Sequence, residues 1–152
     1  MKVINDIQLT KNFKLSEFEC NYKGERKVML DMRLVDELQK LRDIIKKPID
    51  ISSGYRTPEK NNSLKNSSPK SKHLLGIAVD IFVEGMSVEE VYFIAKHLQF
   101  NGIGLYDYHI HLDIREKKAF WDNRTLKTNM ISVFKWFNVW MIIYITYSIK
   151  TP

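Results

Sequence analysis

A chain of 152 residues, 44% hydrophobic and 28% charged, suits one domain with a real core, with room for a short appendage. The net charge of +6 favours anionic partners, but the cations are dispersed and no helix reads as a basic stripe with interleaved aromatics, which argues against nucleic-acid binding. Cys20 is the single cysteine; it excludes an internal disulfide or a cysteine-based zinc knuckle and reads as a small buried hydrophobe.

In chain order, the first ten residues lack the apolar run of a secretory signal, so export would need another route. Residues 1–12 read as an extended lead-in. Ser16 and Glu19 have capping-box spacing and predict a short helical turn. Residues 21–27 read as a polar loop around Gly24. Leu34, Leu38, Leu41 and Ile45 recur at helical spacing and predict a helix over residues 31–46, stopped by Pro48. A short strand is expected at residues 49–52, running into Ser53-Gly54-Tyr55-Arg56-Thr57-Pro58. Residues 59–72 read as a polar loop. Ser87 and Glu90 form a second capping box, for a helix reaching about Leu98. His97 lies near its end and reads as structural. The strand expected at residues 102–106 carries Gly102 and Gly104, which are too few for a phosphate loop and imply a backbone role.

Chemistry-bearing residues concentrate in two stretches. In residues 71–80, His73 precedes Gly76, and beyond it Ile77, Val79 and Ile81 alternate with Ala78 and Asp80, as in a strand. Residues 109–114 alternate strictly: Ile110, Leu112 and Ile114 face a core, while His109, His111 and Asp113 share the other face. Two strands of this kind can bring His73, Asp80 and His111 together, with His109 and Asp113 flanking. Two imidazoles and a carboxylate leave a fourth position open, the arrangement of a catalytic rather than a structural zinc site. The competing reading is a turn-capping Asp80 and histidines on a solvated strand face. From its own segment alone, Arg56 reads as a surface cation.

The chain resembles the M15 family of zinc peptidases, which cut bacterial cell-wall peptides and share their metal-site architecture with the Hedgehog signalling domain. The matching text is Asn12-Phe13-Lys14-Leu15-Ser16-Glu17-Phe18 and Ser53-Gly54-Tyr55-Arg56-Thr57-Pro58-Glu59. It continues with Ser71-x-His73-x-x-Gly76-x-Ala78-x-Asp80, then Gly102-Ile103-Gly104-x-Tyr106 and His111-x-Asp113-x-Arg115, ending near Trp121-Asp122. The resemblance implies an α+β domain, a small antiparallel sheet flanked by helices around a zinc cleft, over residues 1–123. It implies Zn2+ on His73, Asp80 and His111, and Arg56 beside the substrate. Where several relatives carry a Glu three residues before the last ligand, this chain has Tyr108; other relatives have a histidine where His109 stands. His109 and Asp113 therefore form the expected acid/base neighbourhood, with the roles undivided.

The implied substrate is a peptidoglycan stem peptide, cut as a carboxypeptidase or an endopeptidase at the cell wall, in the manner of phage or prophage lysins. The alternatives are a metal amidohydrolase on another small peptide and a catalytically silent wall-binding or phage structural module that keeps the metal site. Residues 124–152 have no counterpart in the resemblance. Within them, residues 130–149 carry Lys135 as their one charge and are rich in aromatics, so a membrane-associated helix and an element packed on the domain are both open.

Overall fold

The computed structural model describes residues 6–125; the apolar stretch 130–149 lies outside them. Among the described residues, no helix is long and apolar enough to cross a membrane. The fold is α+β. Helix α1 runs over Met32–Ile45. The Asp31 carboxylate caps it by accepting the Arg33 backbone N–H at 3.0 Å, and Leu34, Val35, Leu38 and Leu41 are buried. Lys46 turns left-handed (φ 57°) and returns its N–H to the Arg42 carbonyl, so the helix has ended before Pro48 is reached.

Two short strands, β1 (Cys20–Tyr22) and β2 (Glu25–Lys27), precede α1, and β3 (Asp50–Ser53) follows it. Helix α2 (Pro58–Ser63), strand β4 (Ala78–Phe82) and helix α3 (Val88–Ala95) come next. Strands β5 (Gly102–Leu105), β6 (Ile110–Asp113) and β7 (Ala119–Asp122) complete the described chain. The main sheet has the order β3-β4-β6-β5-β7; its pairs are antiparallel except β5 with β7. Val79, Ile81, Ile103, Leu105, Ile110 and Leu112 join the leucines of α1 and the apolar side of α3 in one buried core.

The other face of the sheet is arranged in cross-strand rows. Asp80 pairs with His111, His111 with Gly104, and Gly104 with Trp121; one row along, Ala78, Asp113, Gly102 and Ala119 are neighbours. The candidate site side chains thus sit beside some of the smallest residues. A Cβ on Gly102 would collide with the Asp113 carboxylate, and one on Gly104 with the Trp121 ring. In place of the expected backbone role, these glycines leave space for two side chains.

Several local expectations are corrected. Residues 20–27 form a hairpin rather than a polar loop, turning at Lys23 and Gly24, both at positive φ. Its three-residue, mostly polar strands carry no hydrophobic alternation. Residues 58–63 are helical: the Thr57 hydroxyl accepts the Lys60 N–H at 3.2 Å, and Pro58 occupies the first turn. Helix α3 has the expected capping box but ends at Ala95, three residues early, in tighter turns that leave His97 exposed. The first helical turn is 3-10, Leu15–Phe18, and Lys14 rather than Ser16 sits at its start, with the Glu17 carboxylate accepting the Lys14 N–H at 2.6 Å.

His73 lies on a second 3-10 turn, Lys72–Leu75, ended by Gly76 at φ 65°. A Cβ on Gly76 would run into the Met29 carbonyl, and the Gly76 carbonyl accepts the Asp31 N–H at 3.0 Å. Gly76→Ala is therefore expected to destabilise the protein by about 1–3 kcal/mol and to weaken metal binding by moving His73; thermal unfolding and metal titration of that variant check both.

Candidate metal centre

Two strands, β4 and β6, and one 3-10 turn assemble the centre. His73 Nε2 lies 3.2 Å from Asp80 Oδ1 and 3.2 Å from His111 Nδ1, and the last two atoms are 2.9 Å apart. All three residues are buried. The outward nitrogens are both committed. His73 Nδ1 donates to the Gly54 carbonyl at 2.7 Å, and His111 Nε2 donates to Asp113 Oδ2 at 3.0 Å. These bonds select the tautomers whose inward nitrogens carry lone pairs. Three acceptor atoms then face one another about 3 Å apart, which requires a positive charge between them, either a proton or a metal ion. A tetrahedral site with bonds of about 2.0–2.2 Å has edges of about 3.3–3.5 Å, so a few tenths of an ångström of expansion admits zinc. The donor set fits.

The electrostatics agree. Burial alone would raise the Asp80 pKa, but hydrogen bonds and charge from His111 and His73 outweigh it and hold the carboxyl well below the usual range. Burial pushes His111 down, yet the Asp113 and Asp80 carboxylates raise it above the ordinary imidazole value. Below that raised pKa a proton occupies the position a metal would take. Metal affinity is therefore expected to fall about tenfold per pH unit on acidification, starting above the pKa of a free histidine. Metal titrations at several pH values check this.

The flanking residues divide. Asp113 is fully buried, and both its oxygens are engaged by His111 and by Arg115, the latter through Nε at 2.7 Å to Oδ1 and 3.0 Å to Oδ2. His109 is half-buried in the groove wall and stacks on Tyr106, with centroids 4.4 Å apart and planes 10° apart. Its pKa is lowered, chiefly by burial, with Asp80 opposing. Arg56 is not a free surface cation. Its Nε donates to Ser53 Oγ at 2.8 Å and its Nη2 pairs with Asp80 Oδ2. Tyr108 is 89% exposed and is not part of the groove lining.

Trp121 is the residue the sequence reading missed. Its ring lies 5.1 Å from that of His111, its Nε1 donates to the Tyr106 hydroxyl at 3.0 Å, and Arg115 sits over its face at 5.2 Å. Its signal was one of two adjacent aromatics, Phe120 and Trp121, in a four-residue edge strand following two lysines, too short to reveal alternation. The triad opens into a groove of about 1150 Å³ that also includes residues 65–68, 70–72 and 121–124.

The family profile described as Peptidase M15 matches residues 11–113. Peptidoglycan L,D-endopeptidase MepK from Escherichia coli (strain K12), Escherichia coli O157:H7 and Shigella flexneri is in each case 31% identical over 108 residues, covering 66% of this chain and 59% of the relative. The chain thus spans less than two thirds of the length of these curated relatives. With the profile matched over most of the sequence, the chain belongs to the peptidase M15 family.

Proposed function

We propose that the protein is a zinc-dependent peptidase acting on peptidoglycan stem peptides. The observation that carries this reading is the convergence of three ligand atoms, His73 Nε2, Asp80 Oδ1 and His111 Nδ1, at the floor of an open groove. Two nitrogens and one oxygen, with no sulfur, suit zinc in a catalytic setting. When bound there, zinc supplies a Lewis acid for a peptide carbonyl and for water.

The chain's own residues do the rest. The Gly54 carbonyl and Asp113 fix the two ligand rings, and Arg115 holds Asp113 ionised beneath His111. His109 is the group on the groove wall suited to take a proton from the attacking water and return it to the leaving amine. Its lowered pKa keeps it neutral, and so able to accept, at pH 7. Asp113 has no free oxygen for that task, so the shared acid/base assignment narrows to His109. Arg56 presents its positive charge at the groove floor to the substrate carbonyl or a terminal carboxylate. Arg124 pairs with Glu89 and Asp122, and Thr125 bonds Asp107, so these two residues, which the sequence assigns to the C-terminal segment, are tied to the folded unit.

The relatives' name makes an L,D bond the first to test. Mass spectrometry of purified peptidoglycan digested with the full chain is expected to give chelator-sensitive products cut within the stem peptide, and their termini identify the bond. A digest with no new termini at stoichiometric zinc would favour a silent wall-binding module, the reading that exposed Tyr108 in place of a carboxylate otherwise supports.

A further inference from the structure

Six cationic side chains line the groove, against two carboxylates, Asp80 and Asp122. Three of the six are already paired: Arg56 with Asp80, Arg115 with Asp113, and Arg124 with Asp122 and Glu89. The other three, Lys65, Lys70 and Lys72, have no acidic partner among the described residues. They share one stretch of wall with Ser67, Ser68 and Ser71, Lys65 and Lys70 on the loop leading to the turn that carries His73 and Lys72 at the start of that turn.

That loop is pinned to α2. The buried Asn61 donates from Nδ2 to the Ser68 carbonyl at 3.0 Å, and its own carbonyl accepts the Ser67 hydroxyl at 2.5 Å. Ser68 Oγ accepts the Lys70 N–H at 3.1 Å, and the Ser68 carbonyl accepts the Ser71 N–H at 3.1 Å. The Lys70 backbone and the loop segment around Ser67, Ser68 and Ser71 are therefore held in place before any ligand arrives, which lowers the ordering cost of using the charge carried there.

We infer that Lys65, Lys70 and Lys72 set substrate specificity, selecting acidic peptides with free carboxylates close to the scissile bond over the same peptides amidated. This deepens the peptidase reading and rests on it for the substrate. The lysines line the same cavity as the triad, so the anion they meet belongs to the molecule being cut. Separate ammonium groups interspersed with hydroxyls suit single carboxylates spaced along a chain. Charges focused in a groove raise the local concentration of such a ligand, and salt screens the effect.

The test compares two synthetic stem peptides of one sequence, one with free carboxylates and one amidated. Turnover is measured on the zinc-loaded full chain, and binding, by fluorescence anisotropy, on the zinc-free full chain. The acidic peptide is expected to bind about tenfold more tightly, with the preference appearing in KM, and to lose that advantage in high salt. The combined variant Lys65→Gln, Lys70→Gln, Lys72→Gln should bring the ratio near one. A charge-matched variant, Lys11→Gln, Lys117→Gln, Lys118→Gln, alters exposed positions outside the groove and should preserve it.

Equal binding of the two peptides by the wild type, or an undiminished ratio in the loop variant, overturns the inference. If neither peptide is cut but the binding preference follows the loop lysines, the peptidase reading fails on its substrate while the specificity assignment stands. Should the triple variant misfold, Lys65→Gln and Lys70→Gln, both at exposed positions, give the same comparison singly.

Discussion

His73→Ala, Asp80→Ala and His111→Ala are each expected to abolish stoichiometric zinc binding and hydrolysis together. Weakening a partner that only orients a ligand typically costs about 10–100-fold in affinity or activity, and removing the ligand itself exceeds that. Each of these variants also deletes one of three atoms whose mutual repulsion the ion relieves. Zinc a thousandfold above its Kd stabilises a folded site by about 4 kcal/mol. The wild type should accordingly show a clear zinc-dependent rise in Tm, and the three variants should show almost none. Asp113→Asn provides the graded case: it keeps the three ligands, loses the carboxylate that holds His111, and should fall within the 10–100-fold range. Retention of one zinc per chain in all three ligand variants would remove the site.

Arg56→Ala is expected to keep zinc and lose about 10²–10³-fold in kcat/KM, the usual cost of removing a charge aimed at a developing oxyanion. The guanidinium now bonds Ser53 and Asp80, so its removal also frees Asp80 Oδ2. That oxygen is not the one facing the imidazoles, and metal affinity should therefore stay close to the wild-type value. Arg56→Lys retains a charge without the fork that reaches both partners and should recover only part of the activity. Wild-type kcat/KM in Arg56→Ala would reduce Arg56 to a structural partner of Asp80, and loss of zinc would make it part of the metal site.

Much of this site was legible in the residues because strand alternation has a fixed period. Once His109, His111 and Asp113 shared one face of a strand and Asp80 pointed the same way on its neighbour, antiparallel pairing was enough to set Asp80 opposite His111. Helix α1 was equally readable from the spacing of Leu34, Leu38, Leu41 and Ile45 and from Pro48 beyond its end. The elements that escaped lack an apolar face. The β1–β2 hairpin has polar strands, and α2 buries only Asn61. The Thr57-Pro58 start of α2 was a usable signal, outweighed by the run of Lys, Asn and Ser that follows. Strand β7 pairs in parallel with β5, and nothing local announces such a partner. The different surroundings of His109 and Asp113 were not written in the spacing either. They depend on Arg115 folding back onto Asp113 and on Tyr106 stacking against His109, both matters of side-chain direction.

The central claim is that zinc at His73, Asp80 and His111 makes this chain a peptidase of wall peptides. Its most direct test is digestion of purified peptidoglycan by the full chain after metal has been stripped, before and after one equivalent of zinc is restored. The predicted result is no release of stem-peptide fragments from the stripped protein and release on zinc addition. Fragments released by the metal-free protein, or none from the protein carrying one zinc per chain, would contradict it.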